Sequence, residues 1–584
     1  MAFRVSPGIN ISEQDLTTVV PNVAVAIGAF AGPFQWGPVL ERTTVTTENE
    51  LVDIFGKPNS DVARHWWCAA NFLAYANNLL IARVVGPQAV NSAIGDNGAG
   101  TPVLVKTATA YDDVTFDAGT LFVAKYPGIL GDSLFVEACD SAGFTAWTYK
   151  DNFDGAPLTS PDVANAGGSG DEMHVIVIDS QGLWTGTPGF VLEKFAYVSK
   201  AIDGKRPDGS SNYVKDVLRN ESKYVWIGTV TQLTELSDDG NNVAGFTKAG
   251  SVFRQFTTSS TGYTPGGQLA GGVDDNLGGT NNVTAAKLIE GFNLFKDDSV
   301  VDVNLIIGGP GEDASDTDVG TSLVAMVGLG ANARPDAMVF LSPTFTDAVT
   351  TPLTSSTTAT TNMVTTKTTY GSNNFVVMDG AWKYQYDRYR DVFVYVPMNG
   401  DTAGLVARTE ETNDAWWSPA GMNRGQVKNV VRLTWEPNRA DRDKLYQASI
   451  NPFITMRGAG VLMWGDKTCQ IKPSAFDRIN VRRLFIVLEK AISTAAKSLL
   501  FEFNDEFTRA QFVNMVQPFL REVQGRRGIT DFKVVCDTSN NTGQIIDTNQ
   551  FVGDIYIKPA RSINFIQLNF IAARTDVSFS EIGG

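Results

Sequence analysis

From residue 23 to residue 341, short apolar runs alternate with segments whose apolar residues recur at three- and four-residue spacing, and this alternation restricts the fold more than any other feature. Residues 23–31 read as a buried strand. Residues 61–79 read as a helix with Val62, Trp66, Ala69, Leu73 and Ala76 on one face, and 80–85 as a strand returning beside the first. Strands are expected at 134–138, 175–178 and 224–228 and helices at 191–201 and 285–295. A strand at 303–307, a helix at 319–329 and a strand at 337–341 follow. Such an order predicts an α/β chain, mixed with α+β, and 584 residues are too many for one core, so it is multidomain.

Residues 86–119 are loop-rich, and a second unit is expected to be inserted there. Residues 342–369 hold 13 threonines with Pro343 and Pro352, which reads as a flexible connection out of that unit. Beyond it, 481–500 is a strongly amphipathic helix with Val481, Leu484, Leu488, Ala491, Ala495 and Leu499 on one stripe. A second helix is expected over 504–523, kinked at Pro518, then strands at 533–536, 551–557 and 563–571. In the last of these Ile566, Leu568 and Phe570 alternate with Gln567 and Asn569. Both ends carry short alternating stretches as well. Pro7-Gly8 turns the chain before Ile9 and Ile11, and Val577 alternates to Phe579. Strands so short need a sheet to join.

The net charge of −16 argues against a general nucleic-acid binder, because an acidic surface repels phosphate. The charge is uneven: residues 439–584 carry net +4 and the rest −20, so the C-terminal quarter suits an acidic partner. Cys68, Cys139, Cys469 and Cys536 form no CxxC pair and read as buried thiols of a reducing compartment. His65 and His174 are too few and too far apart for a multi-histidine metal site. No basic leader with an apolar core and no membrane-length apolar run is found.

Catalytic signatures are missing: there is no G-x-x-x-x-G-K-[ST], H-E-x-x-H or G-x-S-x-G. Gly308-Gly309-Pro310-Gly311 lacks a following Lys-Ser/Thr and reads as a turn. Glu312, Asp313, Asp316 and Asp318 could hold calcium, but they precede a helix whose N-terminus favours carboxylates, so capping is the better account. Trp416-Trp417 reads as core packing beside a turn rather than a stacking platform. Arg478, Arg482 and Arg483 suit a phosphate, structural salt bridges or a subunit interface.

An ordered series of short motifs resembles the contractile bacteriophage tail sheath proteins, the T-even-like myophage type in particular. Near the N-terminus these are Ser6-Pro7-Gly8-Ile9, Phe34-Gln35-Trp36-Gly37-Pro38, Phe55-Gly56, Arg83-Val84-Val85, Tyr126-Pro127-Gly128 and Leu269-Ala270-Gly271-Gly272. Later come Lys383-Tyr384-Gln385-Tyr386-Asp387, Ala403-Gly404-Leu405, Ser418-Pro419-Ala420-Gly421 and Asn423-Arg424-Gly425-Gln426. Leu445-Tyr446, Ile450-Asn451-Pro452, Gly465-Asp466-Lys467-Thr468, 476–484 from Phe476 through Arg478, Arg482 and Arg483, and 559–564 complete the series. The further surface domain that such proteins often carry before the Tyr-Pro-Gly segment looks reduced to 87–120.

The resemblance implies a non-enzymatic subunit with no cofactor and no metal, which polymerises helically around an inner tail tube and contracts when the baseplate triggers it. Its implied partners are itself, the inner tube protein, and baseplate and tail terminator proteins, with no direct nucleic-acid contact and no membrane insertion. It implies a virion tail assembled in the host cytoplasm. It also implies nested domains: 1–22 with 439–584 as an inner, tube-facing polymerisation domain, 23–87 with 343–438 in the middle, and 88–342 inserted outside. The terminal strands, carrying Pro7, Gly8, Ile9, Ile11, Val577 and Phe579, would join the C-terminal sheets of neighbours, with Arg478, Arg482, Arg483, Ile566, Leu568 and Phe570 at the subunit interface. A sheath subunit of a non-phage contractile injection system and a cytoplasmic α/β enzyme are the alternatives.

Overall fold

In the computed structural model, strands from both sides of a long excursion in the chain meet in one six-stranded sheet. Its order is Val376–Met378, Met338–Leu341, Leu305–Ile307, Gly28–Gly32, Leu79–Arg83 and Arg42–Val45. All neighbours pair in parallel except the last, which is antiparallel. The structure describes residues 26–95, 98–99, 103–117, 120–228, 244–258, 261–262, 265–275, 283–311, 316–330, 332–564 and 567. The expected terminal-strand and interface residues Pro7, Gly8, Ile9, Ile11, Ile566, Leu568, Phe570, Val577 and Phe579 lie outside the described residues, as do Glu312 and Asp313.

Parallel strands need long crossovers, which here are mostly helices, and sheets covered on both faces are uniformly apolar. Gly28–Gly32 is buried throughout and lies between Leu305 and Leu79 in register at Gly28. Helix Ala63–Leu73 supplies the first crossover. It packs so tightly that a Cβ on Gly28 would stand 2.7 Å from the Phe72 ring. Helix Asp316–Met326 links Leu305–Ile307 to Met338–Leu341, and helix Ser356–Thr369 links that strand to Val376–Met378.

This last helix corrects the reading of 342–369 as a flexible connection. Ser355 caps it by accepting from Thr358 N–H, and the hydroxyls of Thr360, Thr361, Thr365, Thr368 and Thr369 each bond the carbonyl four residues back. Threonine is a weak helix former, but with its hydroxyl satisfied locally the helix stands as an obligatory crossover. Because Leu305–Ile307 and Met338–Leu341 share a sheet with Gly28–Gly32, the excursion returns before residue 305 rather than at 342.

Within the excursion the strands are antiparallel. One sheet runs Gly266–Gln268, Leu134–Cys139, Glu172–Asp179, Phe190–Ser199, and another Val225–Ile227, Thr120–Ala124, Ala93–Gly95, Gly98–Ala99. The segment expected to be a helix over 191–201 is therefore a strand. Two register shifts against Glu172–Asp179, with Tyr197 at φ 54°, interrupt its alternation, so the buried residues recur at a spacing that imitates a helix.

The chain divides into two compact units. The larger holds the described residues of 26–415 and 419–479; the smaller holds 416–418 and the described residues from 480 onward. Residues 439–479 thus fall with the larger unit, not with the C-terminal segment. In the smaller unit, helix Ile479–Ala496 and helix Glu506–Gly525 pack around Leu484, Leu488, Ala491, Phe512, Met515, Val516 and Leu520. The antiparallel pair Ile529–Val535 and Asp554–Pro559 closes that core: Phe532, Val534, Ile555 and Ile557 face it while Asp531, Lys533, Tyr556 and Lys558 face outward. The expected strand over 563–571 lies almost wholly outside the described residues.

Candidate functional site

Motifs far apart in sequence converge where the chain enters and leaves the excursion. Arg83, fully buried at the end of its strand, donates to the carbonyls of Phe34 (2.9 Å), Gln35 (3.1 Å), Gly37 (2.9 Å) and Pro127 (2.7 Å). One guanidinium thereby ties the Phe-Gln-Trp-Gly-Pro turn to the Tyr-Pro-Gly turn. Burial lowers its pKa to about 10, opposed by Asp274, whose carboxylate accepts from Ile129 N–H at 2.8 Å. Trp36 stands edge-on to Tyr126 and Trp184 at 5.5 and 4.9 Å. A Cβ on Gly272 would fall 2.3 Å from the Gly128 carbonyl, so the Gly-Gly turn is glycine because two backbones touch.

A second lock joins the later motifs. Asn451 donates from Nδ2 to the carbonyls of Met378 (3.2 Å) and Lys467 (2.8 Å), and its Oδ1 accepts from Lys467 N–H at 2.8 Å. Lys467 Nζ donates to the Tyr446 carbonyl at 2.7 Å and lies over the Tyr446 ring. Arg478, about a fifth exposed, pairs with Asp466 at 2.8 Å and donates to the Tyr446 hydroxyl. Its main engagement is thus within the chain.

The other two arginines are less available still. Arg482 is buried and donates to Glu489 Oε2 at 3.0 Å along its own helix, and Arg483 is fully buried. Trp416 donates to the Arg526 carbonyl at 3.1 Å and packs on the core of the smaller unit, the packing expected of it. The strands Ile529–Val535 and Asp554–Pro559 each keep one edge without a strand partner among the described residues. An edge of that kind offers a row of backbone donors and acceptors to an added strand.

The histidines and cysteines are buried in packing roles. His174 accepts from Tyr197 N–H, contacts the Gly155 carbonyl and stacks on Phe153. Burial, with Arg64 beside it, pushes His65 down to about 3. All four cysteines are buried and unbridged, and burial raises Cys139 and Cys469 to about 12. Among the described residues no three His, Cys, Asp or Glu side chains group as a metal site, and no helix is long and apolar enough to cross a membrane. In the Gly308–Gly311 stretch, expected to be a turn, Gly309 stands at φ 78° with its carbonyl accepting from Asn399 Nδ2 at 2.6 Å, and Gly311 bridges in parallel to Thr344.

Two family models match in tandem: the phage tail sheath protein central domain over residues 281–469 and the phage tail sheath C-terminal domain over 472–573. The tail sheath protein of Enterobacteria phage T4 is 33% identical to this chain, with 99% of each covered. The chain belongs to the phage tail sheath proteins. That of Vibrio phage KVP40 is likewise 33% identical with 99% of each covered, and that of Salmonella phage ViI is 30% identical, covering 100% of this chain and 98% of the relative. The alignment with the T4 protein spans 662 residues, more than the 584 of this chain, so that relative carries residues this chain lacks.

Two solved structures share the fold. The sheath tail protein of Listeria innocua superposes with a TM-score of 0.53 at 12% identity, covering 92% of this chain and 93% of that one. The contracted helical sheath of the anti-feeding prophage gives 0.51 at 12% identity, covering 98% and 100%. The family is structural, which sets aside the α/β enzyme alternative, and the relatives above 30% identity are phage proteins. Seen this way, the motif residues are packing locks. Arg83 carries no sequence mark of that role, because its four acceptors are main-chain carbonyls.

Proposed function

We propose that this chain assembles with copies of itself into a helical tube around an inner tail tube, and that the tube shortens when the baseplate releases it, driving the inner tube through the host envelope. The observation that carries the reading is the match to the T4 tail sheath protein over essentially both chains. Assembly would take place in the host cytoplasm, and the product would be part of the virion tail, bounded by baseplate and terminator proteins.

A filament needs heterologous contacts, in which one patch meets a different patch on the next copy without closing a ring. Terminal strands added to the open edges of the Ile529–Val535 and Asp554–Pro559 pair supply such a contact, with Pro7, Gly8, Ile9 and Ile11 at one end and Val577 and Phe579 at the other. Ile566, Leu568 and Phe570 would extend the same sheet, and Arg478, the least buried of the three arginines, would lie at its margin. The smaller unit would face the tube, the six-stranded sheet would form the middle, and the excursion begun near residue 88 would lie outside. Locks such as Arg83 and Asn451 keep the larger unit rigid, so that shortening rotates subunits rather than deforming them. The extended form must be metastable, held by a barrier until triggered.

Removing residues 1–16 or 575–584 should leave folded monomers that polymerise poorly, seen as loss of the fast-sedimenting fraction. Normal tubes from both truncations would defeat strand exchange. The net +4 of residues 439–584 is carried mostly by 439–479, so binding of that segment to an acidic inner tube is expected to weaken with salt, and salt-independent binding would contradict it.

A further inference from the structure

The turn between the two long helices of the smaller unit carries an apolar knob. Phe501 is fully exposed (106%), Phe503 and Phe507 are 84% and 73% exposed, and Leu500 beside them is 63% exposed. Phe501 is also held at φ 72°, a left-handed conformation that a bulky side chain adopts under strain. Four large apolar side chains within eight positions, one of them strained outward, mark a surface meant to be covered. The knob is rimmed by Glu502, Asp505 and Glu506, all exposed.

The same helix ends in the opposite character. Arg521, Arg526 and Arg527 are exposed at its far end, and the last two lie 5.4 and 5.6 Å from the rings of Trp416 and Trp417. This pole offers aromatic surface under a basic cover. Glu506–Gly525 has 20 residues, about 30 Å of helix, so knob and pole cannot meet within one molecule. They can meet only between copies, and because the two patches differ, each contact leaves a free knob and a free pole to continue the chain.

We propose that the knob at 500–507 docks head to tail on the Arg521, Arg526 and Arg527 pole of a second copy of this chain. The proposal rests on the self-assembling reading above and adds to it a side-chain contact separate from terminal strand exchange.

The test uses the full-length chain in sedimentation velocity over a concentration series, with Phe501→Gly, a knob reversal (Glu502→Lys with Glu506→Lys), a pole reversal (Arg526→Glu with Arg527→Glu) and both reversals in one chain. Phe501→Gly should keep or raise the melting temperature, since it relieves the strained φ. It should also raise the concentration needed for assembly about tenfold or more, as loss of an interface anchor does. Each reversal alone should fail to assemble, while an equal mixture of the two, or both in one chain, should assemble near the wild-type concentration. Assembly of Phe501→Gly and both single reversals at the wild-type concentration overturns the proposal, as does loss without rescue. Normal assembly with lost binding to purified inner tube also overturns it, and names the tube as occupant instead. Terminal truncations that abolish tubes while knob variants assemble normally leave the strand-exchange reading standing and remove this one. The reverse pattern, with charge rescue intact, does the opposite.

Discussion

Replacing Lys383 by Met tests how the larger unit is held together. Lys383 lies on the buried strand Trp382–Asp387, and its Nζ is 2.9 Å from Asp401 Oδ2 and donates to Asp401 Oδ1 (3.0 Å) and the Lys428 carbonyl (3.1 Å). Tyr75 donates to the same carboxylate at 3.0 Å, so three elements meet at two fully buried charges. Burial pushes the Asp401 carboxyl up and Lys383 down, and each offsets this for the other. Without its cation the carboxylate is an uncompensated buried charge, worth about 3–5 kcal/mol. Its escape is to take up a proton, which for a carboxyl of ordinary pKa costs about 4 kcal/mol at pH 7 and about 1.5 kcal/mol at pH 5. The sign follows because the folded variant binds a proton there that the unfolded chain does not, so acid favours the folded form. Thermal unfolding of Lys383→Met against Lys383→Met/Asp401→Asn should therefore differ by about 4 °C at pH 7 and about 1.5 °C at pH 5, at ~1 °C per kcal/mol for a unit of this size. A gap that does not shrink with acid, or a single variant that melts with the wild type, would refute the reasoning.

Three further outcomes are expected. His65 stays neutral when folded, with its pKa pushed down to about 3 by burial and Arg64, whereas the unfolded residue protonates near 6.5. Stability should then fall by about 2 kcal/mol from pH 7 to pH 5 on its account, and His65→Phe should flatten that dependence in pH-resolved melting. Thr365→Pro, in the middle of helix Ser356–Thr369, should cost about 3 kcal/mol or more and open the segment to limited proteolysis; no change in either would restore the flexible-connection reading. Cys139 and Cys469, buried and raised to about 12, should resist a thiol reagent in the native protein and react once it is unfolded. Rapid native labelling of either would contradict their burial.

What the sequence made legible follows its physics. The helices at Ile479–Ala496 and Glu506–Gly525 repeat their apolar residues over many turns, and the register of Leu484, Leu488 and Ala491 toward the core was readable directly. The parallel strands around Gly28–Gly32 stood out as uninterrupted apolar runs between helical patterns. Phe190–Ser199 did not, since bulges displaced its pleat and gave it a helix-like spacing. Ser356–Thr369 failed for another reason: composition stated its weak propensity but not the crossover that requires a helix there. The motifs pointed to the family while concealing their work. Arg83 and Asn451 bond mainly to main-chain groups distant in sequence, and Arg482 and Arg483, which a sequence shows only as charges, are buried.

Self-assembly is the central claim, and negative-stain electron microscopy of the purified full-length chain, concentrated with nothing added, tests it most directly. Long hollow tubes with helical striation are the predicted result. Only discrete particles, unchanged on concentration, would contradict it.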